Sequence, residues 1–250
     1  MRTPLEGKLA LVVGGSGGIG AASARRLAEA GARVALSHTA RSASAAAALA
    51  AALPGAGHVA MPADVADTAS LLALRDALRE RWGEALHVLV NAAGFTKPVP
   101  HADLDALDDD LIDRMFTVNW RGQFAAIRTF APMLKASGDG LVVNVSSIAG
   151  QTGVGSSIAY CAAKAGIDVM AKSLARALAP AVRVLGVAPG VVDTGFVPGR
   201  GADFNAKTAD TTPLRRVAKA DDVADAVLAC AVSLRFATGT TLVVDGGRSL

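Results

Sequence analysis

The chain has 250 residues, of which 52% are hydrophobic and 19% charged, and this is enough apolar material for one large core. Its formal net charge of +3 comes from lysines and arginines that are scattered along the chain, so we expect no nucleic-acid-binding surface. No apolar segment has the character of a membrane span and no Pro, Gly or Ser linker separates two halves, so residues 1–250 are predicted to form one soluble domain without a membrane anchor.

Apolar runs with strand character alternate with helical stretches along the whole chain. The predicted strands are 9–13, 33–37, 58–61, 87–91, 141–145, 182–187 and 241–244. The predicted helices are 21–30, 43–53, 68–82, 111–137, 158–179 and 221–234. Such alternation requires crossover connections, so the predicted fold class is α/β, a doubly wound parallel sheet of about seven strands with helices on both faces. Ligands of such sheets bind beyond the carboxyl ends of the strands.

A glycine-rich turn joins the first strand to the first helix. Its sequence, Gly14-Gly-Ser-Gly-Gly18-Ile-Gly20, permits a tight bend and lets the backbone approach a pyrophosphate closely. The amides that open the helix add hydrogen-bond donors and a partial positive charge. The turn therefore predicts a dinucleotide site, and a plain tight turn is the structural alternative. The predicted contacts in the turn are Gly14, Ser16, Gly18, Ile19 and Gly20.

The end of the second strand bears on which dinucleotide is bound. An acidic residue at this place binds the ribose hydroxyls and repels a 2′-phosphate. The segment here is Ser37-His38-Thr39-Ala40-Arg41, which has no acid and two basic side chains. His38, Thr39 and Arg41 are therefore predicted cofactor contacts. NADP(H) is the favoured cofactor, with NAD(H) as the alternative.

Three polar side chains in the second half of the chain predict proton chemistry. Tyr160 and Lys164 are four residues apart on a predicted helix, so they lie on one helix face. A phenol has a pKa of about 10, so near neutral pH it exchanges protons slowly unless a positive charge favours its ionised form. Lys164 would supply that charge, and Ser147 would direct a hydroxyl at the same carbonyl oxygen. An ordinary amphipathic helix is the alternative for the Tyr and Lys pair taken alone.

Several motifs together resemble those of the short-chain dehydrogenase/reductase family in order and spacing. They are Gly14-x-x-x-Gly18-x-Gly20, Asn91-Ala-Ala-Gly94, Asn119, Ser147, Tyr160-x-x-x-Lys164 and Pro189-Gly190. The resemblance runs from residue 5 to residue 247. Segments 213–216, 222–224 and 244–247 are similar to the closing segments of the branch that contains the 3-oxoacyl-carrier-protein reductases.

The resemblance implies a Rossmann-type fold and hydride transfer between a nicotinamide dinucleotide and a carbonyl or secondary alcohol. It implies that Ser147 orients the substrate carbonyl and that Tyr160 donates its proton. Lys164 would lower the pKa of the tyrosine and bind the nicotinamide ribose. Asn119 would complete a proton relay by holding a water. The alternative is a local helix kink or a polar side chain with its hydrogen bonds satisfied, and either is compatible with that role.

The resemblance also implies further cofactor contacts and no metal. Asp64 and Val65 would meet the adenine, although Asp64 would equally suit the cap of a turn. The segment that would lie against the adenosine ribose, with a tight turn as its alternative, contains Asn91, Ala92, Ala93 and Gly94. The segment that would hold the nicotinamide carboxamide contains Pro189, Gly190, Val192 and Thr194. Tyr160 and Lys164 would complete the set at the nicotinamide ribose.

The sequence defines the substrate less closely than the cofactor. Residues 193–212 are rich in Gly, Pro and polar side chains and are predicted to form a lid loop. Within the lid, Arg200 is either a contact for an anionic group or, by the usual exposure of arginine, a solvated side chain. The branch implies a 3-oxoacyl thioester substrate and an acyl carrier protein as partner. The alternative is another small ketone or alcohol, and a second alternative is a non-catalytic dinucleotide-binding subunit or sensor.

The sequence departs from the family pattern at three places, and two further expectations concern assembly and cellular location. The segment after the catalytic helix lacks most of the basic residues of carrier-protein reductases, and Val13 replaces a hydroxyl that usually ties the glycine turn to a neighbouring strand. Leu185 and Gly186 replace the usual Asn and Ala before Pro189. The resemblance implies a homotetramer. The two cysteines are too few for a disulfide framework, so a cytoplasmic location is expected.

Overall fold

In the computed structural model, which describes residues 3–200 and 202–250, seven strands form one parallel sheet in the order β3-β2-β1-β4-β5-β6-β7. The strands are β1 (Leu9–Val13), β2 (Arg33–His38), β3 (Val59–Pro62), β4 (Val88–Asn91), β5 (Gly140–Val145), β6 (Val182–Pro189) and β7 (Thr241–Val244). The predicted fold class is therefore confirmed. The order reverses direction between β1 and β4, and this switch point opens a crevice at the carboxyl ends of the strands.

Helices supply the crossover connections between the parallel strands. They are α1 (Gly18–Glu29), α2 (Ala43–Ala52), α3 (Thr68–Trp82), α4 (Asp109–Phe116), α5 (Gly122–Ala136), α6 (Ala149–Thr152), α7 (Ile158–Leu178), α8 (Ala202–Asp210) and α9 (Ala220–Val232). A short 3-10 turn, Ala40–Ser42, precedes α2. A π-helical segment, Thr117–Arg121, joins α4 to α5.

Two hydrophobic cores cover the two faces of the sheet. Successive side chains of β1 alternate between them: Leu11 packs with α3, α5 and α7, whereas Ala10 and Val12 pack with α1, α2 and α9. A strand with both faces covered reads as a continuous apolar run, because neither set of side chains meets water. This is why the strands were predictable from apolar runs, and it confirms helices on both faces.

The predicted helix 111–137 is interrupted in the structure. It begins at Asp109, where the Asp108 carboxylate caps it by accepting a hydrogen bond from the amide of Leu111 at 2.8 Å. It then passes through the π-helical segment before continuing as α5. The extra residue of a π-turn displaces side chains from the ordinary helical register, and the buried Asn119 lies within it. The expected local distortion at this asparagine is thus present.

The lid region contains a helix that the sequence analysis did not predict. Residues 202–210 form α8, whereas residues 193–212 were expected to be a loop. Alanines favour the helix here, although the glycines and proline that precede it are typical of loops. Across the residues described, no helix combines the length and the apolar character that a membrane crossing needs.

Candidate active site

A cleft of about 1040 Å³ lies at the carboxyl ends of the central strands. Thirteen of the predicted site residues line it, so segments far apart in the chain meet in one place. These thirteen are Gly18, Ile19, Gly20, Ala92, Ala93, Gly94, Ser147, Tyr160, Lys164, Pro189, Gly190, Val192 and Thr194. The crevice predicted from the strand ends is therefore observed.

The other nine predicted residues do not line this cleft. They are Gly14, Ser16, His38, Thr39, Arg41, Asp64, Val65, Asn91 and Asn119. The ends of β2 and β3 are tied together, because the amide of Ala63 donates to the carbonyl of His38 at 2.9 Å. The amide of Gly15 likewise donates to the carbonyl of Ser37 at 3.1 Å, which ties β2 to the glycine turn. These two bonds place the ends of β2 and β3 beside the glycine turn.

Several glycines of the turn have no room for a side chain. Gly14 has a φ of +77°, and a Cβ on it would lie 2.6 Å from the backbone nitrogen of Ala93. A Cβ on Gly20 would overlap the carbonyl oxygen of Gly14, and one on Gly18 would lie 2.6 Å from the Cγ2 of Thr194. Helix α1 starts after Gly17 with no side-chain cap, so no side chain competes for its first amides. A turn with bare glycines and uncapped amides fits the pyrophosphate of a dinucleotide.

A buried serine that the sequence analysis did not assign holds the glycine turn. The hydroxyl oxygen of Ser37 accepts a hydrogen bond from the amide of Gly14 at 3.1 Å, and Ser37 is only 1% exposed. Val13 lacks the hydroxyl that would tie the turn to a neighbouring strand, and Ser37 makes such a tie from β2. A polar residue near the end of an apolar strand is the signal that would have identified it.

Ser147, Tyr160 and Lys164 are positioned by β5 and α7. Ser147 follows β5, is 9% exposed, and its hydroxyl accepts from the amide of Ala149 at 3.1 Å. Helix α7 begins after Ser157, whose hydroxyl accepts from the amide of Tyr160 at 3.2 Å. The Lys164 ammonium is 5.6 Å from the centroid of the Tyr160 ring and donates to a backbone carbonyl, that of Val145, at 2.8 Å. All three side chains face the cleft.

Burial dominates the pKa values of the tyrosine and the lysine. It raises the pKa of Tyr160 to about 12, against a hydrogen bond from Ser147 and the charge of Arg200, which both lower it. Burial lowers the pKa of Lys164 to about 8, and the charge of Asp168 acts in the opposite direction. Arg200 is thus one cation that favours the phenolate. The expected effect of Lys164 on the tyrosine stays a prediction.

The side chain of Asn119 is occupied by backbone groups. Its amide oxygen accepts from the nitrogen of Phe95 at 3.0 Å, and its amide nitrogen donates to the carbonyls of Phe95 and Met115, each at 2.9 Å. Asn119 is fully buried. These bonds hold the backbone next to Gly94, which lines the cleft. The structure thus gives Asn119 a positioning contact, and its role in a proton relay stays a prediction.

Asn91 and Asp64 make local contacts in addition to their predicted roles. The Asn91 amide donates to the side-chain oxygen of Asn144 at 2.9 Å across β4 and β5, and both residues are fully buried. The side chain of Asn91 therefore joins two strands instead of lining the cleft. The exposed Asp64 accepts from the amide of Ala66 at 2.8 Å, which is the turn-capping alternative. Neither arrangement tests a backbone or adenine contact, so both cofactor roles stay predictions.

The lid supplies an aromatic and cationic wall to the cleft. Phe196, Arg200 and Phe204 line it together with Arg248 from the end of the chain. The ring of Phe196 is 6.2 Å from that of Tyr160, and the Arg200 guanidinium is 4.4 Å from the centroid of the Phe204 ring. The sequence analysis favoured a solvated Arg200. The side chain is exposed, but it also lines the cleft and acts on Tyr160.

Comparisons with known proteins agree with this geometry. A family model described as enoyl-(acyl carrier protein) reductase matches residues 14–249. A protein of Streptomyces violaceoruber named as ketoacyl reductase 2 of the granaticin polyketide synthase is 43% identical over 98% of this chain and 97% of its own. The cis-4-hydroxycyclohexanecarboxylate dehydrogenase of Sinomonas cyclohexanicum is 39% identical over 96% of both chains. The crystal structure of a short-chain dehydrogenase/reductase from Burkholderia xenovorans has a TM-score of 0.91 at 33% identity, covering 96% of this chain and 97% of that one.

Proposed function

This chain belongs to the short-chain dehydrogenase/reductase family and is an oxidoreductase, and we propose that it is an NADP(H)-dependent ketoreductase. The observation that carries the proposal is that Ser147, Tyr160 and Lys164 line the same cleft as the glycine turn. When bound, the dinucleotide would supply or accept the hydride. The protein would supply the geometry and move the proton.

The protein's own groups suit reduction of a carbonyl. Ser147 would donate a hydrogen bond to the carbonyl oxygen and hold it beside Tyr160. A phenol with a pKa of about 12 is protonated at neutral pH, so Tyr160 would donate its proton to that oxygen. Lys164 would assist proton return to the phenol, since its own pKa of about 8 lies near neutrality. Asn119 would support this transfer by fixing the backbone beside the cleft.

The preference for NADP(H) over NAD(H) rests on the segment at the end of β2. Segment 37–41 contains no carboxylate to repel a 2′-phosphate, and the exposed Arg41 and the partly buried His38 are the cations nearest to it in sequence. The test is the ratio of kcat/KM for NADPH and NADH with one ketone. A ratio in favour of NADH would overturn the preference.

The names of the relatives suggest two substrate classes. Similarity to a ketoacyl reductase favours a 3-oxoacyl thioester, and an acyl carrier protein would then be the partner. Similarity to a hydroxycyclohexanecarboxylate dehydrogenase favours a cyclic hydroxy or keto acid, and the arginines of the cleft are compatible with its carboxylate. NADPH consumption with an acetoacetyl thioester and with 4-oxocyclohexanecarboxylate tests both, with Tyr160→Phe as the control. Full turnover by Tyr160→Phe with intact cofactor binding would refute the catalytic assignment.

The proposal also covers the oligomeric state, the lid and the cellular location. Exposed apolar side chains on α7 and β7, including Val169 and Val243, support a homotetramer through these elements. A stable monomer in sizing chromatography would reject it.

Residues 193–212 would act as the lid over the substrate. A cytoplasmic location is supported by the free thiols of Cys161 and Cys230.

A further inference from the structure

Two arginines of the cleft have no acidic partner. Arg200 and Arg248 both line it, and both contact residues of α8. Burial is the main cause that lowers the pKa of Arg200, and the charge of Arg248 lowers it further. Among the described residues, neither guanidinium forms an ion pair with a carboxylate, whereas arginines such as Arg26, Arg79 and Arg216 do. Two like charges in one cleft repel each other, and no carboxylate of the described residues compensates them.

Each of the two arginines is held in place by other contacts. The Arg200 guanidinium lies over the ring of Phe204, at 4.4 Å from its centroid. Arg248 donates through one nitrogen, Nη1, to the carbonyl of Thr208 at 3.4 Å, to the hydroxyl of Thr211 at 3.0 Å and to that of Thr212 at 3.4 Å. Within the part of the chain that is described, its Nε and Nη2 have no hydrogen-bond partner. Both guanidinium groups therefore have donors left for a ligand.

Arg200 lies on the side of the cleft where the substrate would bind, and Arg248 lines the same cleft. Arg200 acts on the phenol of Tyr160, which would face the substrate carbonyl. Phe196 precedes Arg200 in the lid, and its ring centroid is 6.2 Å from that of Tyr160. No contact joins either arginine to the glycine turn among the residues described, and the phosphates of a dinucleotide would be held at that turn.

We propose that Arg200 and Arg248 together bind an anionic group, a carboxylate or a phosphate, which the substrate carries at a distance from its reacting carbonyl. The proposal rests on the proposed function, since it takes Tyr160 as the proton donor to that carbonyl. A planar guanidinium binds either anion through two parallel hydrogen bonds, and one anion between two cations removes their repulsion. The rings of Phe196 and Phe204 would pack against the apolar part of the substrate.

The test measures binding, so it does not depend on turnover. Calorimetry with the enzyme saturated with oxidised dinucleotide would compare cyclohexanecarboxylate with its uncharged analogue cyclohexanecarboxamide. A second pair, acetoacetyl pantetheine with and without its 4′-phosphate, separates a carboxylate from a phosphate as the source of the anion. The variants are Arg200→Gln and, as matched control, Arg128→Gln, because Arg128 also lies near an aromatic ring, that of Phe124, but is outside the cleft.

We expect the charged member of one pair to bind wild type at least ten-fold more tightly than the uncharged member. Arg200→Gln should weaken the binding of that charged ligand by about 10- to 100-fold, as is typical of a lost charge-assisted hydrogen bond. The binding of the uncharged ligand should be unchanged. Arg128→Gln should behave as wild type. The proposal is overturned if neither pair depends on charge, or if Arg200→Gln instead weakens the dinucleotide. A protein that binds the anions but reduces no ketone would contradict only the proposed function.

Discussion

Burial moves the pKa values of Tyr160 and Lys164 in opposite directions, although both side chains lie on one face of α7. The pKa of the phenol rises to about 12, so the phenol holds its proton at neutral pH. The pKa of the ammonium falls to about 8, so it releases its proton more readily than an exposed lysine does. The carbonyl of Val145 accepts a hydrogen bond from that ammonium at 2.8 Å, which compensates part of the lost hydration. One group is thus poised to donate a proton and the other to exchange one.

The lowered pKa of Lys164 predicts how stability depends on pH. The unfolded chain keeps this proton up to about pH 10.5, whereas the folded protein releases it near pH 8, so the unfolded state binds more protons in between. The free energy of unfolding should therefore rise with pH from about 8 to 10.5, by up to about 3 kcal/mol for this group. Below pH 8 the cost of the buried charge is fully present.

The measurement is urea unfolding of the dinucleotide-free protein across this pH range, for wild type and Lys164→Met. The difference between the two removes other titrating groups, such as the Cys230 thiol, whose pKa burial raises to about 11. The variant should lack the rise. Parallel curves for the two proteins would show that Lys164 does not titrate in this way.

Ser37 predicts a second effect at the scale of one hydrogen bond. Ser37→Ala would leave the Gly14 amide without its acceptor, and a buried unsatisfied donor costs about 1–3 kcal/mol. We expect a loss of stability of that size and weaker dinucleotide binding, since the turn would be less well fixed. Denaturant unfolding and a dinucleotide titration measure the two quantities.

Ser23→Ala is the matched control for Ser37→Ala. Ser23, in α1, is also fully buried, but its hydroxyl has no hydrogen-bond partner in the described structure. Removing this hydroxyl should be neutral or slightly stabilising, because no bond is lost. Equal losses in both variants would mean that the Ser37 contact contributes nothing specific.

At the scale of elements, the π-helical segment links a helix distortion to the wall of the cleft. Asn119→Ala removes three hydrogen bonds to the backbones of Phe95 and Met115 and leaves those groups buried. We expect a loss of about 2–4 kcal/mol in the free energy of unfolding, together with faster amide exchange at Phe95. Hydrogen exchange resolved by residue would test this. Unchanged exchange at Phe95 would limit the role of Asn119 to α4 and α5.

The sequence predicted regular elements better than distorted ones. Strands β1 and β7 and helix α3 have the predicted bounds, because a periodic apolar pattern flanked by clear breaks reports directly on burial. The π-helical segment within 111–137 contains no glycine or proline to mark a break, so the sequence pattern alone does not show it. Helix α8 was missed because the neighbouring glycines and proline are typical of loops.

The cleft was predictable where its residues follow strand ends and less so where they arise from tertiary packing. Glycines that follow a strand indicate a close approach to ligand, and this was visible in the sequence. The pairing of Asn91 with Asn144 depends on the register of β4 and β5, which no single segment encodes. Arg200 and Arg248 are 48 positions apart, and only the packing of the lid against the chain's end brings them together.

At the scale of the whole molecule, the sheet brings the segments that follow four strands to one cleft. The segments after β1, β4, β5 and β6 all line it, so a dinucleotide would bridge both sides of the switch point. A ligand that binds only the folded state stabilises it by about 2.7 kcal/mol at one hundred times its dissociation constant. Cofactor preference is therefore measurable as stability, without knowledge of the substrate.

We expect NADPH to raise the melting temperature more than NADH at equal concentration. Arg41, exposed beside the end of β2, would be the cation that meets the 2′-phosphate, since the segment has no carboxylate. Arg41→Ala should weaken the binding of NADPH by about ten-fold, or about 1.4 kcal/mol, and leave the binding of NADH unchanged. Arg33→Ala is the control, because Arg33 is an exposed arginine at the opposite end of the same strand. An equal loss of affinity for both dinucleotides in Arg41→Ala would show that Arg41 has a structural role. If neither affinity falls, Arg41 does not bind the 2′-phosphate, and His38 and Thr39 are the remaining candidates.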